Sequence, residues 1–173
     1  LIARTNPAVI HYDPAFAFEI SHIVRSGLER MHGDGGPNGN GEDVIFYLTV
    51  YNEPIVQPAE PADLDVDSLL KGTYLYAKAD GEGIPARIMA SGVAVPWALK
   101  AQEILAEQYG VAADVWSVTS WNEIAREAVE TERWNLNHAG EEYRKAWITQ
   151  TLAEEKAVTL AVSDYMRAVS DQI

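Results

Sequence analysis

Residues 113–135, A-D-V-W-S-V-T-S-W-N-E-I-A-R-E-A-V-E-T-E-R-W-N, limit the possible folds of this chain more than any other segment. Residues 114–118 read as a short apolar strand, Thr119 and Ser120 turn the chain, and an amphipathic helix follows. Ser120 with Glu123 three residues on is the spacing of a capping box. The hydroxyl satisfies a first-turn N–H and the carboxylate reaches back to the cap. A strand that runs directly into a capped helix is half of a βαβ unit, which requires a parallel sheet.

The rest of the chain supplies further α/β elements. Asp13 followed by Pro14 reads as the N-cap and first residue of a helix. Its buried face carries Phe16, Ile20, Ile23, Gly27, Leu28 and Met31, and it stops at a left-handed Gly33. Residues 33–43 are a glycine-rich surface loop, and residues 44–51 read as a strand buried on both faces. Residues 54–62 contain three prolines that hold the backbone extended, as in an interdomain linker, with a short helix over residues 64–70. Residues 73–79 alternate like an edge strand, and the turn D-G-E-G suggests that they form an antiparallel hairpin with residues 86–91. A long helix then runs from Gly92 to about Tyr109 with Gly110 as its stop. After the segment described first come a helix near residues 141–155, a strand over residues 157–163 and the start of a helix at Tyr165.

Composition excludes several classes of chemistry. The 173 residues are 47% apolar, enough for a sizeable core, and no run approaches the ~20 apolar residues of a bilayer-spanning helix. There is no cysteine, so disulfides, thiolate metal sites and cysteine nucleophiles are absent from this sequence. Thirteen basic against 26 acidic residues give a net charge of −13, which repels nucleic acid and anionic membrane surfaces. The chain opens on Leu1 with no signal region, and it reads as a piece of a longer cytoplasmic protein.

Several short strings occur in a specific order: H-Y-D-P-A-F-A-F-E-I (residues 11–20), G-L-E-R-M-H-G (27–33), Y-L-T-V-Y-N-E-P (47–54), A-Q-E-I-L-A-E-Q-Y-G-V (101–111), V-T-S-W (118–121), E-T-E-R-W-N (130–135) and S-D-Y-M (163–166). Together they resemble the thiamine-diphosphate-dependent pyruvate dehydrogenases of the homodimeric bacterial type. The resemblance implies a transketolase C-terminal-like α/β fold: an open, mostly parallel sheet with an antiparallel edge hairpin, preceded by the last helix and strand of an upstream α/β domain. The expected division is residues 1–53, the end of that pyrimidine-binding-type domain, a linker over residues 54–71, and the C-terminal-like domain over residues 72–173. It further implies pyruvate as substrate, thiamine diphosphate and Mg2+ in the longer protein, a homodimer, and a dihydrolipoyl acetyltransferase partner that receives the two-carbon unit on a lipoyl group. Alternatives are a transketolase-like enzyme acting on another 2-oxo acid or a sugar phosphate, and an α/β binding or assembly module without chemistry of its own.

None of the family's catalytic motifs maps onto this sequence, so the chain by itself is expected to bind no cofactor and to be inert. Gly33-Asp34-Gly35 has the letters of a thiamine-enzyme metal motif, but it follows a helix, and no asparagine stands at the required distance. Asp63, Asp65 and Asp67 alternate like calcium ligands, yet Ser68 replaces the glycine such a loop needs, so they read as helix-capping carboxylates. Ser91-Gly92, between a strand and a helix, reads as a packing feature outside any dinucleotide fingerprint. The candidates near a cleft are Asn52 and Glu53, just past the carboxyl end of a strand, and His138. His138 aligns with a histidine of the family's W-N-x-L-H-P, although Asn137 and Ala139 depart from that pattern. His11, His22 and His32 read as structural, and the five tryptophans as core or interface anchors.

Overall fold

The protein is described from a computed structural model covering residues 5–34, 36, 39–52, 54–153 and 156–173. Strand β1 (Val9–Tyr12) enters helix α1 (Ala17–His32), which returns to strand β2 (Ile45–Leu48). The two strands pair in parallel, with Val9 opposite Ile45 and Tyr12 opposite Leu48, so this part is a complete βαβ unit. Strand β1 is absent from the sequence reading because its four residues, V-I-H-Y, are too short to show a period.

Two further expectations for this unit change. Asp13 is not the helix cap: α1 begins at Ala17 with Phe16 as N-cap, and Pro14 lies in the extended lead-in. Gly33 ends the helix with φ −78°, ordinary extended backbone, not the left-handed turn. Strand β2 is also not buried on both faces. Ile45 is 64% exposed and Tyr47 53%, because β2 joins the apolar core through Phe46 and Leu48.

After the extended segment come α2 (Val66–Lys71), β3 (Tyr74–Ala77), β4 (Ile84–Ala90), α3 (Ala94–Tyr109), β5 (Val111–Ser117), α4 (Trp121–Asn137), α5 (Trp147–Leu152), β6 (Val158–Val162) and α6 (Arg167–Ser170). Asp65 caps α2, its Oδ1 accepting from the Ser68 N–H at 3.1 Å. Gly110 stops α3 at φ 62°, the left-handed conformation that favours glycine.

The second sheet runs β3-β5-β4-β6. Strand β4 pairs in parallel with both β5 and β6, and β3 pairs antiparallel with β5. The sheet is thus open and mostly parallel with an antiparallel edge, but β3 and β4 form no hairpin. β5 lies between them because it carries the small apolar residues Ala113 and Val115, both fully buried, which suit a central strand. Helix α3 covers one face through Val95 and Ala98, and Met89, Trp121, Ile124 and Ile148 fill the other. The α3-side core continues without a break into the first unit, through Ile10, Tyr12, Phe16, Phe18 and Ile23. Trp121 is buried in the core on the opposite face, whereas Trp97 is 74% exposed and anchors neither core.

Candidate functional site

The parallel strands of both sheets end toward one another, and polar side chains gather at that junction, where open α/β sheets carry their functional groups. His11 lies on β1, and Asp13 follows two residues later. Asp13 is 1% exposed, and its Oδ1 accepts from Thr49 Oγ1 at 2.7 Å and from the Tyr51 hydroxyl at 2.9 Å, both beyond the end of β2. Asp13 Oδ2 has no hydrogen-bond partner among the described residues.

Tyr165, just past β6, places its hydroxyl 3.0 Å from Thr49 Oγ1 and 3.4 Å from His11 Nε2. On the other side of the ring, His11 Nδ1 lies 3.2 Å from Asn122 Nδ2, and the Tyr47 ring stacks on the imidazole at 5.2 Å. Burial lowers the His11 pKa from its ordinary value, with the nearby Asp13 charge opposing that shift. The Tyr165 hydroxyl is pushed up to about 12, chiefly by burial. Burial and Asp13 also raise Tyr51. Gly92 completes the corner at φ 52°, where a Cβ would stand 2.6 Å from the Tyr51 hydroxyl. The expected packing role of Ser91-Gly92 fits this contact and the Ser91 Oγ–Ser163 Oγ pair at 3.2 Å.

A second set of contacts fixes the junction. The outer edge of β1 faces α4, whose residues satisfy its carbonyls: Arg126 donates to Pro7 O at 3.2 Å and to Val9 O at 2.8 Å, and Ser120 Oγ donates to His11 O at 2.5 Å. Ser120 also caps α4 as expected, accepting from the Glu123 N–H at 3.0 Å. The reciprocal half of the capping box does not form. The Ser120 N–H donates to Gly72 O, and the Glu123 carboxylate turns to Arg126 at 3.4 Å.

Glu19, 0% exposed at the start of α1, reaches across to the second sheet. Its carboxylate accepts from the Tyr74 hydroxyl at 2.8 Å, Ser117 Oγ at 2.6 Å and the N–H groups of Ala15 and Phe16. Burial nevertheless raises its pKa, outweighing the four donated bonds.

Of the candidates named from the sequence, neither Asn52 nor His138 contributes a hydrogen bond to this cluster among the described residues. Asn52 is exposed beyond the end of β2, and Glu53 lies outside the described residues, as does Gly35 of the loop triplet. His138 ends α4, far along the helix. Its ring stacks on Trp134 at 4.3 Å, its Nδ1 lies 2.7 Å from Trp134 O, and Arg144 covers the other indole face at 3.3 Å. Asn135 exchanges two bonds with the Arg144 backbone, at 2.8 and 2.9 Å. The E-R-W-N string therefore serves as a clamp that ties the following loop to α4. The sequence reads Asp13 as a helix cap and His11 as structural, and does not pair them; their i, i+2 spacing puts them on one face, but only if residues 9–12 are known to be a strand.

These residues do not fit a magnesium-diphosphate site. Among the described residues no three His, Cys, Asp or Glu side chains converge, and Asp34 is exposed. The cavity beside the junction, lined by Phe16, Tyr51, Gln57 and Val93, holds about 100 Å³. A cofactor-sized pocket needs about 300 Å³ or more. No step of thiamine chemistry is assigned to these residues.

The chain belongs to the transketolase-like TK C-terminal domain family, whose model matches residues 72–173. The pyruvate dehydrogenase E1 component middle domain matches residues 1–58. Relatives over the whole chain are named pyruvate dehydrogenase E1 component. That of Mycolicibacterium smegmatis is 53% identical over 174 residues, covering 100% of this chain and 18% of the relative. The corresponding figures are 49% identity, with the same coverages, for Mycobacterium tuberculosis, and 38% over 169 residues, 98% and 18%, for Escherichia coli K12. The chain thus spans about 18% of the length of the curated relatives it matches. A transketolase mutant from Pichia stipitis shares the fold, with TM-score 0.51 and 17% identity over 94% of this chain and 19% of that one.

Proposed function

We propose that this chain is the junction and C-terminal scaffold of a pyruvate dehydrogenase that decarboxylates pyruvate on thiamine diphosphate and Mg2+. The two-carbon unit then passes to a lipoyl group on a dihydrolipoyl acetyltransferase. The observation that carries the reading is the 53% identity to a pyruvate dehydrogenase E1 component along the entire chain. In this reading the longer polypeptide is a cytoplasmic homodimer. It divides here at residues 53 and 71, and the cofactor is held elsewhere in the polypeptide, so this chain alone is inert. Asn52 and Glu53, beyond the end of β2, and His138, with Nδ1 committed to Trp134, are assigned contacts with the rest of the polypeptide or its second copy.

The test is carbon dioxide release from pyruvate by the whole polypeptide, with and without thiamine diphosphate and Mg2+. Cofactor-dependent release supports the reading. A folded, cofactor-bound polypeptide that releases none would move the substrate to another 2-oxo acid or a sugar phosphate. A whole polypeptide that binds no cofactor would favour a binding or assembly module.

A further inference from the structure

We propose that His11 is a proton-sensitive latch between the two sheets, closed when its imidazole is neutral and loosened when it is protonated. The ring is the meeting point of four segments. It sits on β1, stacks on Tyr47 of β2, faces Asn122 of α4 through Nδ1, and faces Tyr165 and Thr49 through Nε2 at 3.4 and 3.5 Å. With the Asn122 amide as donor, Nδ1 must be the acceptor, so the single proton of the neutral ring sits on Nε2. There it is directed at the Tyr165 and Thr49 oxygens. Thr49 in turn donates to Asp13 Oδ1, which completes a chain from imidazole to buried carboxylate.

A second proton would stand on Nδ1, opposite the Asn122 NH2. Two donors would then face each other at 3.2 Å, and the contact to α4 would be lost or rebuilt by turning the amide. The charged and titratable groups around the ring set the balance. Asp13, just past the end of β1, favours protonation. On the β2 side the polar groups among the described residues are Tyr47, Thr49 and Tyr51, and Asp164 adjoins Tyr165 after β6. On α4, Glu123 and Arg126 pair with each other at 3.4 Å. Burial outweighs Asp13, so the folded state prefers the neutral ring. The stability this preference supplies is full above the ordinary histidine value of 6.5 and is lost as pH falls below it through the lowered folded value. The coupling is roughly tenfold in the folding or docking equilibrium per unit of pKa difference.

The experiment compares thermal unfolding of the full chain between about pH 5 and 8 for the unsubstituted protein, His11→Gln and Asn122→Asp. The unsubstituted protein should lose midpoint on acidification, His11→Gln should lose clearly less, and Asn122→Asp, which offers the protonated ring an acceptor, should shrink or reverse the loss. An unchanged slope in His11→Gln overturns the latch. If that variant does not fold, hydrogen exchange of the unsubstituted protein at about pH 5.5 and 7.5, scaled for intrinsic rates, decides. Selective loss of protection in residues 9–13, 119–126 and 163–166 at the lower pH supports the latch, and a loss spread evenly over β4 and β5 overturns it.

Discussion

Ser120 Oγ accepts from the Glu123 N–H at 3.0 Å and donates to the His11 carbonyl at 2.5 Å, so one hydroxyl starts helix α4 and docks strand β1. Ser120 is fully buried, which leaves both partners without water if the hydroxyl is removed. Loss of the cap costs about 1 kcal/mol, and an unpaired buried carbonyl adds about 1–3 kcal/mol. Ser120→Ala should therefore lose about 2–4 kcal/mol in urea unfolding. A loss under about 1 kcal/mol would mean that the carbonyl contact contributes nothing.

Glu19 predicts both a stability effect and its pH dependence. In Glu19→Gln one amide group must turn its own N–H bonds toward donors, so the buried network breaks and the variant should lose about 2–4 kcal/mol near neutral pH. Because the folded carboxyl has a raised pKa, the unsubstituted protein holds this proton more tightly when folded. The contribution of this group is most favourable below the ordinary value of 4.5 and declines as pH rises through the raised folded value. Glu19→Gln should remove that part of the decline, which unfolding at a series of pH values would detect.

Arg126 closes the open edge of β1. Replacement by Ala frees the carbonyls of Pro7 and Val9 and leaves Glu123, itself raised by burial, without its cation. A loss of about 1–3 kcal/mol is expected, with faster amide exchange concentrated in β1 and β2. Arg126→Lys should recover little, since a single ammonium cannot reproduce the two-pronged reach of the guanidinium. Full rescue by Lys would argue for charge alone.

Asn135 should affect the loop far more than global stability. Its two bonds to the Arg144 backbone lie at an exposed site, so Asn135→Ala is expected to cost about 1 kcal/mol or less. Residues 139–146 should become an early cleavage site in limited proteolysis. Cleavage at the unsubstituted rate would show that the Trp134–Arg144 stack holds the loop without Asn135.

Features set by neighbours in the chain were legible. The Ser120 cap, the Gly110 stop, the Asp65 cap and the strand–helix succession of the second sheet all depend on spacings of a few residues. The β3–β4 hairpin fails for the complementary reason: a tight turn signal states that two strands are close in sequence, not which strand is inserted between them. Strand β1 escaped notice because four residues carry no usable period, and with it went His11 and Asp13 as a pair.

Glu19 marks the boundary most clearly. It is the first-turn acid of an amphipathic helix, and nothing within a helical turn of it marks it as buried. Its hydroxyl partners Tyr74 and Ser117 lie 55 and 98 residues away. The local pattern sets which segments become strands and helices, because backbone conformation and capping respond to adjacent residues. Which polar groups are taken out of water, and what they meet there, follows from packing two sheets into one core, and that pairing exists only once the chain has folded.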